Sequence, residues 1–531
     1  MAIKKYTATK DNTITNAFKQ NLITRGTGSN MGASDVTEIF SIYGQALVQG
    51  TTTDAGKQTQ ELSRVLYQFP VSGTTAGEIK HDRTNGDIPI SGNVNFYLKL
   101  YNARHGQTLP LDTQYTIQAV SQSWNEGTGL DMEEYTNQGT SNWLSRSSGD
   151  GWGEAGGSYW SGSYNPGVTF PTYTVTQQNG TEEFEVDITS MVEEWIAGTK
   201  SNYGLGLRLD SSFEAYFSAS KGVDNATTGE LHNLAGAQRS YYTKKLFSRG
   251  TQYFFKKPAI EARWDSSTKD NRGNFSYSSS LADTSDNLNT LYLYNHIDGQ
   301  LKNIPNLTNN LVYLQVFSGS AINDAPFGTN LNIDTGSMHK TEKFYVTGGL
   351  HETGIYTASL CLTASASNKL TKLYDVWSGG ASSNIQYFTG SFEPKTRNSS
   401  ETNPTPEFVS KIVNLKDSYK DSENPKLRLF VRDKNWSPNL YTKASTAIQT
   451  KIIEDAYYKV FKVSDNTEVV QYGTGSSNLD FTRLSYDVSG NYFNLDMSLL
   501  KSDAMYGVKF SYYINGKYIE QPEMFKFRIE K

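Results

Sequence analysis

Near the end of the chain, GVKFSYYINGKYI places Val508, Phe510, Tyr512 and Ile514 at alternate positions. That period suits a half-buried strand and does not line one side of a helix. Asn515-Gly516 follows, the preferred dipeptide of a type I′ hairpin, so KYI is expected to return antiparallel. MFKFRIE repeats the period, with Phe525, Phe527 and Ile529 inward against Lys526, Arg528 and Glu530. AYYKVFKV is less regular: Tyr458, Val460 and an inward Lys462 break an alternation that Tyr457, Phe461 and Val463 only partly keep. Residues 408–531 therefore read as a β-sandwich of immunoglobulin-like or fibronectin-like type.

The same habit recurs upstream. The 34 Tyr and 25 Phe suit pleated strands, and the 45 Gly suit turns. An all-β chain is expected, and 531 residues leave room for two to four domains. LYLYNHIDGQLKNI starts as a strand and turns at Asp298-Gly299. LVYLQVFSGS, EKFYVTGGL, GIYTASLCLTAS and KLYDVWSG follow as short strands between turn residues, the rhythm of an immunoglobulin-like sandwich over residues 288–394. By analogy with such modules, Tyr356 is the tyrosine that ties a loop to a sheet corner. The single cysteine, Cys361, has no partner for an intrachain disulfide and reads as a small buried hydrophobe. Residues 267–287 and 395–407, polar and poor in large apolar side chains, read as linkers. Residues 1–7 read as an extended arm ordered by a partner, ahead of a first domain at 8–266.

Within that domain, residues 184–209 read as strand, short helix, strand. Ser190 and Glu193 have capping-box spacing, and Met191, Val192, Trp195 and Ile196 form one apolar helical face. Gly198 supplies a left-handed stop, and Leu205, Leu207 and Leu209 alternate as a strand with one face buried. A lone helix plugging the end of a sandwich has this form.

DITSMVEEWIAG followed by NYGLGLRL resembles the C-terminal half of the DNRLRE-type domain, a jelly-roll sandwich of carbohydrate-binding-module appearance. Other landmarks fall in the order the resemblance implies: KDNTITNAF, NMGAS, RVLYQFPV, VNFYLKLYNA, IQAVSQSWNEGTG and LFSRGTQYFFKKPAIEARW. The resemblance covers residues 8–266, with insertions at 50–61 and 139–170. It implies an N-terminal jelly-roll with one short helix, and a place among the structural proteins of tailed-bacteriophage virions, on neck, tail or baseplate.

Four of the eight tryptophans, Trp124, Trp143, Trp152 and Trp160, lie in residues 121–170 with Tyr159 and Tyr164. Two readings stay open. The rings pack the loop onto the sandwich and make subunit contacts, or Trp152, Tyr159 and Trp160 form a platform for a host-surface polysaccharide, as in a glycan-binding adhesin. Asp131, Glu133, Glu134, Asp150 and Glu154 are oxygen ligands of the type calcium takes. They lack a fixed ligand spacing, and a solvated acidic loop is the expectation, with no metal or cofactor.

A search for catalysis finds little. His81, His105, His232, His296, His339 and His351 are scattered, and HETGI at His351 lacks the second histidine of a zinc-protease helix. No G-x-S-x-G elbow occurs, and GTTTDAGKQ at residues 50–58 has the wrong glycine spacing for a phosphate loop. A net charge of −5 gives no basic footprint for nucleic acid. MAIKKYTATKDN lacks the apolar core of about 7 to 15 residues of a secretory leader. No apolar run approaches the ~20 residues of a membrane-spanning helix. A non-enzymatic virion protein, assembled in host cytoplasm, is the expectation. Its partners are other virion proteins and copies of itself, met through the N-terminal arm, the 139–170 insertion and exposed sheet edges.

Overall fold

The computed structural model describes residues 2–17, 26, 28–47, 58–106, 109–130, 140–160, 170–211, 213–214, 216–218, 230–232, 241–283, 285–319, 325–335, 344–363, 370–380, 385–395, 406–436, 450–474 and 480–531. The fold is all-β, with two short α-helices among these residues. It divides into two compact units, Ala2–Asp265 and Ser266–Lys531.

In the first unit, a four-stranded sheet runs in the order Ile3–Thr7, Ala259–Arg263, Asn95–Leu100, Phe184–Asp187. A larger sheet runs Tyr241–Phe247, Val36–Leu47, Gln58–Gln68, Leu205–Leu209, Thr113–Ala119, Tyr173–Gln177, with Lys10–Thr15 also paired to Gln58–Gln68. Phe96, Leu98, Leu100 and Ile260 from the small sheet meet Val65, Tyr67, Tyr115, Ile117, Leu205 and Leu207 from the large one in a single core. The sequence reads residues 1–7 as an extended arm ordered by a partner. Instead Ile3–Thr7 is the edge strand of the small sheet, with Ile3 and Tyr6 buried. Two apolar side chains in so short a segment have more to gain from the sandwich than from water.

The helix Thr189–Ala197 closes this core with Met191, Val192 and Trp195 buried, and Gly198 stops it in the left-handed region at φ 76°. The capping box does not form. Asp187 accepts from the Thr189 backbone N–H and hydroxyl, while Glu193 pairs with Arg83 at 2.7 Å. The helix has Ile188 at its N-cap, two residues before Ser190, so Asp187 rather than Ser190 takes a first-turn N–H.

The outer face of the small sheet is charged, with Glu261 and Arg263 buried and Lys5 and Glu185 nearer to solvent. Glu261 bonds Lys5 at 2.9 Å and Arg263 at 2.6 Å, Arg263 bonds Glu185 at 2.7 Å, and Glu185 pairs with Lys99. Opposite charges on one face of the sheet lie within reach of each other, along a strand and across it. Burial opposes ionisation of Glu261, but Lys5 and Arg263 outweigh it and hold the carboxyl at about 2.

In the second unit, one sheet runs Asn289–Tyr294, Ile355–Leu360, Val346–Glu352, Val312–Gly319, Leu373–Ser378, Gln386–Phe392. Val346–Glu352 changes partner along its length: residues 346–348 pair with Val312–Gly319, and residues beyond Gly348 pair with Ile355–Leu360. A Cβ on Gly348 would lie 2.6 Å from the Thr357 carbonyl oxygen, so glycine permits the crossing. Both ends of the sheet contribute to one core, with Leu291, Tyr356 and Leu360 from one and Leu314, Val316 and Trp377 from the other. The Tyr356 hydroxyl accepts the Ile304 backbone N–H at 2.9 Å and so ties down the loop before Val312. Cys361 is buried.

The last sandwich pairs a sheet of Phe408–Ile412, Lys426–Asp433, Gly490–Asn494 and Ser485–Asp487 with one of Ser418–Lys420, Phe525–Glu530, Ala504–Ile514, Ala456–Lys462 and Glu468–Val470. The hairpin forms as expected, with Asn515 at φ 50°, Gly516 at φ 78°, and Ile514 opposite Lys517. Tyr457 and Tyr458 are both buried; residues 482–484 pair along the edge of Ala456–Lys462, and Asp480 and Arg483 bond the Tyr457 hydroxyl. Lys462 is not inward: it reaches Asp465 at 3.1 Å.

Residues 267–287, expected as a linker, contain a strap built into both sandwiches of this unit. The Asp270 N–H donates to the Tyr486 carbonyl at 3.1 Å, and that of Tyr277 to the Lys395 carbonyl at 3.1 Å. Arg272 bonds Asp270 at 2.8 Å, both oxygens of Asp375, and the Tyr292 carbonyl at 3.0 Å. Polar composition here supplies bonds rather than solvation. Of the second expected linker, 395–407, residues 396–405 lie outside the described residues.

Glu261 yields a pH prediction. A depressed carboxyl pKa stabilises the fold above the unfolded value of 4.5 and loses that contribution as pH falls towards 2. Glu261→Gln removes up to about 3 kcal/mol of stability at pH 7 and flattens the loss between those limits. Urea denaturation at stepped pH, followed by tryptophan fluorescence, measures both.

Candidate functional site

The aromatic loop of the first unit is the sequence-predicted site. Strand Gln58–Gln68 buries both faces: Val65 and Tyr67 face the main core, while Leu62, Arg64 and Leu66 face the loop. Trp124, Trp143 and Trp152 gather over Ile14, Leu62, Leu66 and Val120 in a second core. Trp124 donates its indole N–H to the Tyr203 carbonyl, and Trp152 to the Asn142 carbonyl, each at 2.8 Å. Satisfying that polar handle is what lets a tryptophan sit buried. Trp152 is only 8% exposed.

Tyr159 and Trp160 diverge. Tyr159 bridges to Val120 in an extended backbone, so consecutive side chains leave on opposite faces of the sheet. Tyr159 joins the second core, its hydroxyl donating to the Gly156 carbonyl at 3.0 Å. Its ring lies on Gly206, where a Cβ would be 2.1 Å away, so that glycine is required by the ring. Trp160 goes to the main core side, stacked on Phe170 with centroids 6.4 Å apart and with the Lys200 ammonium 4.3 Å over its ring. The structure thus brings Trp152 and Tyr159 together in one packed cluster and sends Trp160 elsewhere.

Beneath the cluster lies a buried ion pair. The Arg64 guanidinium stands 5.1 Å from the Trp143 ring centroid, donates to the Gly156 carbonyl at 3.0 Å, and meets both Glu214 oxygens at 3.1 and 2.6 Å. Arg208 approaches Glu214 at 3.7 Å. This arrangement fixes the loop through a fork-shaped charge-assisted contact. Sequence reading passes over it, since Arg64 and Glu214 are 150 positions apart. The nearest signal is an arginine leading into the apolar run Val65-Leu66-Tyr67.

A second buried carboxyl is Asp11. One oxygen accepts the Arg249 N–H at 2.6 Å, while Glu126 accepts the Asp11 N–H at 2.9 Å. Burial pushes the Asp11 carboxyl up to about 7, against the opposing pull of Arg249. Of the acidic loop candidates, Asp150 pairs with Arg146 at 3.1 Å. Asp131, Glu133 and Glu134 lie outside the described residues, as do His339, Tyr164 and residues 50–57 of the phosphate-loop look-alike. His351 lies in a strand, its ring edge-on to Tyr292 at 5.6 Å. No group of three His, Cys, Asp or Glu side chains able to hold a metal occurs among the described residues.

No family model and no curated protein matches this chain. Among solved structures, trypsin-activated alpha-2-macroglobulin from Escherichia coli is similar at 10% identity, over 68% of this chain and 26% of that one, with a TM-score of 0.16. Its native conformation, also from E. coli, is similar at 10% identity over 92% and 32%, with a TM-score of 0.15. Salmonella alpha-2-macroglobulin reacted with methylamine is similar at 9% identity over 100% and 34%, with a TM-score of 0.14. The chain spans about a quarter to a third of the length of these proteins. Scores of this size carry no functional argument.

The Arg64–Glu214 pair sets a stability test. Glu214→Gln leaves a buried guanidinium without its counter-charge and is expected to cost about 3–5 kcal/mol. Guanidinium denaturation, read by tryptophan emission, should show the loss in the transition of the first unit.

Proposed function

We propose that this chain is a structural protein of a tailed-bacteriophage virion, decorating or joining the neck, tail or baseplate through protein–protein contacts. The observation that carries the reading is the ordered run of landmarks from KDNTITNAF to AIEARW, which resembles the DNRLRE-type jelly roll, followed by tandem sandwiches of immunoglobulin-like pattern. The disposition of the side chains is in keeping with such a role. The large rings of the loop pack inward, and buried charges pair with one another. Such a protein acts by shape and repetition.

Weak contacts become firm attachment when symmetry repeats them. Gln386–Phe392 is suited to such a contact. It lies at the end of its sheet, and QYFTGSF carries no charged side chain to blunt the edge. A copy of the chain or a neighbouring virion protein can extend the sheet there by main-chain pairing.

Mass spectrometry of purified particles tests the reading: the chain is expected in several copies per particle. Thr389→Lys charges the exposed edge and is expected to lower incorporation several-fold while leaving the melting temperature unchanged. Particles that lack the wild-type chain would exclude the virion role.

A further inference from the structure

The hairpin turn at Asn515-Gly516 sets Tyr513 directly opposite Tyr518 on the outer face of its sheet. Their ring centroids are 4.8 Å apart, and Tyr518 meets Tyr457 at 5.7 Å. Tyr513 is 43% and Tyr518 44% exposed, whereas Tyr457 is buried. Tyr457 is held from below, its hydroxyl donating to Asp480 at 3.1 Å and accepting from Arg483 at 3.1 Å. The outcome is a strip of phenol rings with two open ends and a fixed root.

Charged groups border the strip on both sides. Glu520 pairs with Lys459 and Lys509, each at 2.8 Å. Arg483 pairs with Asp480 at 3.0 Å and with Asp455 at 3.4 Å. Lys459 also reaches Glu468 at 3.6 Å and Lys269 reaches Asp455 at 3.7 Å, so four cations face four anions.

We propose that the Tyr513–Tyr518 strip is a binding subsite for a neutral saccharide. A pyranose ring presents a face of C–H groups, which suits an exposed phenol, and a rim of hydroxyls that both donate and accept. The strip supplies the rings, with carboxylate acceptors and ammonium or guanidinium donors at its margins. The balanced charge disfavours a polyanion, whose phosphates or carboxylates would seek a positive surface. Two phenols also fall well short of the ~800 Å² that each partner contributes to a stable protein interface. Mounting the rings on paired strands keeps the entropic cost of binding low. The inference is independent of the virion role, and it places sugar recognition away from the aromatic loop, whose rings are packed.

Affinity electrophoresis of the full-length protein through native gels containing dextran, mixed-linkage β-glucan or galactomannan is the first test. A microarray of neutral bacterial surface oligosaccharides widens the range of probes. Wild type is expected to be retained by at least one neutral glycan. Tyr513→Ala with Tyr518→Ala is expected to lose retention, while Tyr513→Phe with Tyr518→Phe keeps it. Fluorine NMR of wild-type protein carrying 3-fluorotyrosine gives a check that needs no variant, since the Tyr513 and Tyr518 resonances should shift on titration with the retained glycan. Absence of retention on every probe, equal retention of the alanine variant, or binding confined to acidic glycans would overturn the proposal.

Discussion

Buried guanidinium–carboxylate contacts hold this chain together at the points where apolar packing stops. Arg64, Arg263 and Arg272 are each nearly excluded from solvent, and each is matched to carboxylates. Arg64 fixes the aromatic loop to the large sheet, Arg263 closes the outer face of the small sheet, and Arg272 joins the strap to the second sandwich. An arginine suits these places because its planar fork meets two oxygens at once and cannot lose its proton. Such pairs add little net stability over an apolar substitute, but removing one partner strands a charge in the interior. They therefore specify which surfaces meet more than they raise the total stability.

A strand offers two faces and a simple sandwich covers only one of them. Here the second faces are dealt with in three ways. Tryptophans cover the back of Gln58–Gln68, charges tile the back of Ala259–Arg263, and tyrosines line the back of Ala504–Ile514. The first is closed, and the second is tied together by ion pairs whose outer member, Glu185, reaches solvent. The third is partly open to water.

Much of the fold was legible wherever the determining interactions are local. The hairpin at Asn515-Gly516 follows from a dipeptide and a period of two, and the helix ending at Gly198 follows from an apolar face and a stop residue. Tyr356 was legible by analogy, because a buried tyrosine beside a loop finds a backbone partner. The candidate site was less so. Trp152, Tyr159 and Trp160 look like one platform in a glycine-rich string, but the extended backbone at Tyr159 sends neighbours to opposite faces. The strap was read as a linker because Asp270, Asn271, Arg272 and Asn274 are polar, and polarity alone does not say whether the partner is water or a distant strand. Tyr513 and Tyr518 did carry a signal, two positions either side of the turn, since hairpin geometry makes such residues face each other.

Hydrogen exchange along the strap tests the central claim that a buried arginine turns this polar segment into a joint. The amides of Asp270 and Tyr277, which donate to the Tyr486 and Lys395 carbonyls, should exchange as slowly in the full-length protein as those of the central strands Leu373–Ser378 and Ala456–Lys462. In Arg272→Ala the strap amides should lose protection first, while both sandwich cores keep theirs. Strap amides that exchange in the wild type as fast as an exposed loop would contradict the account.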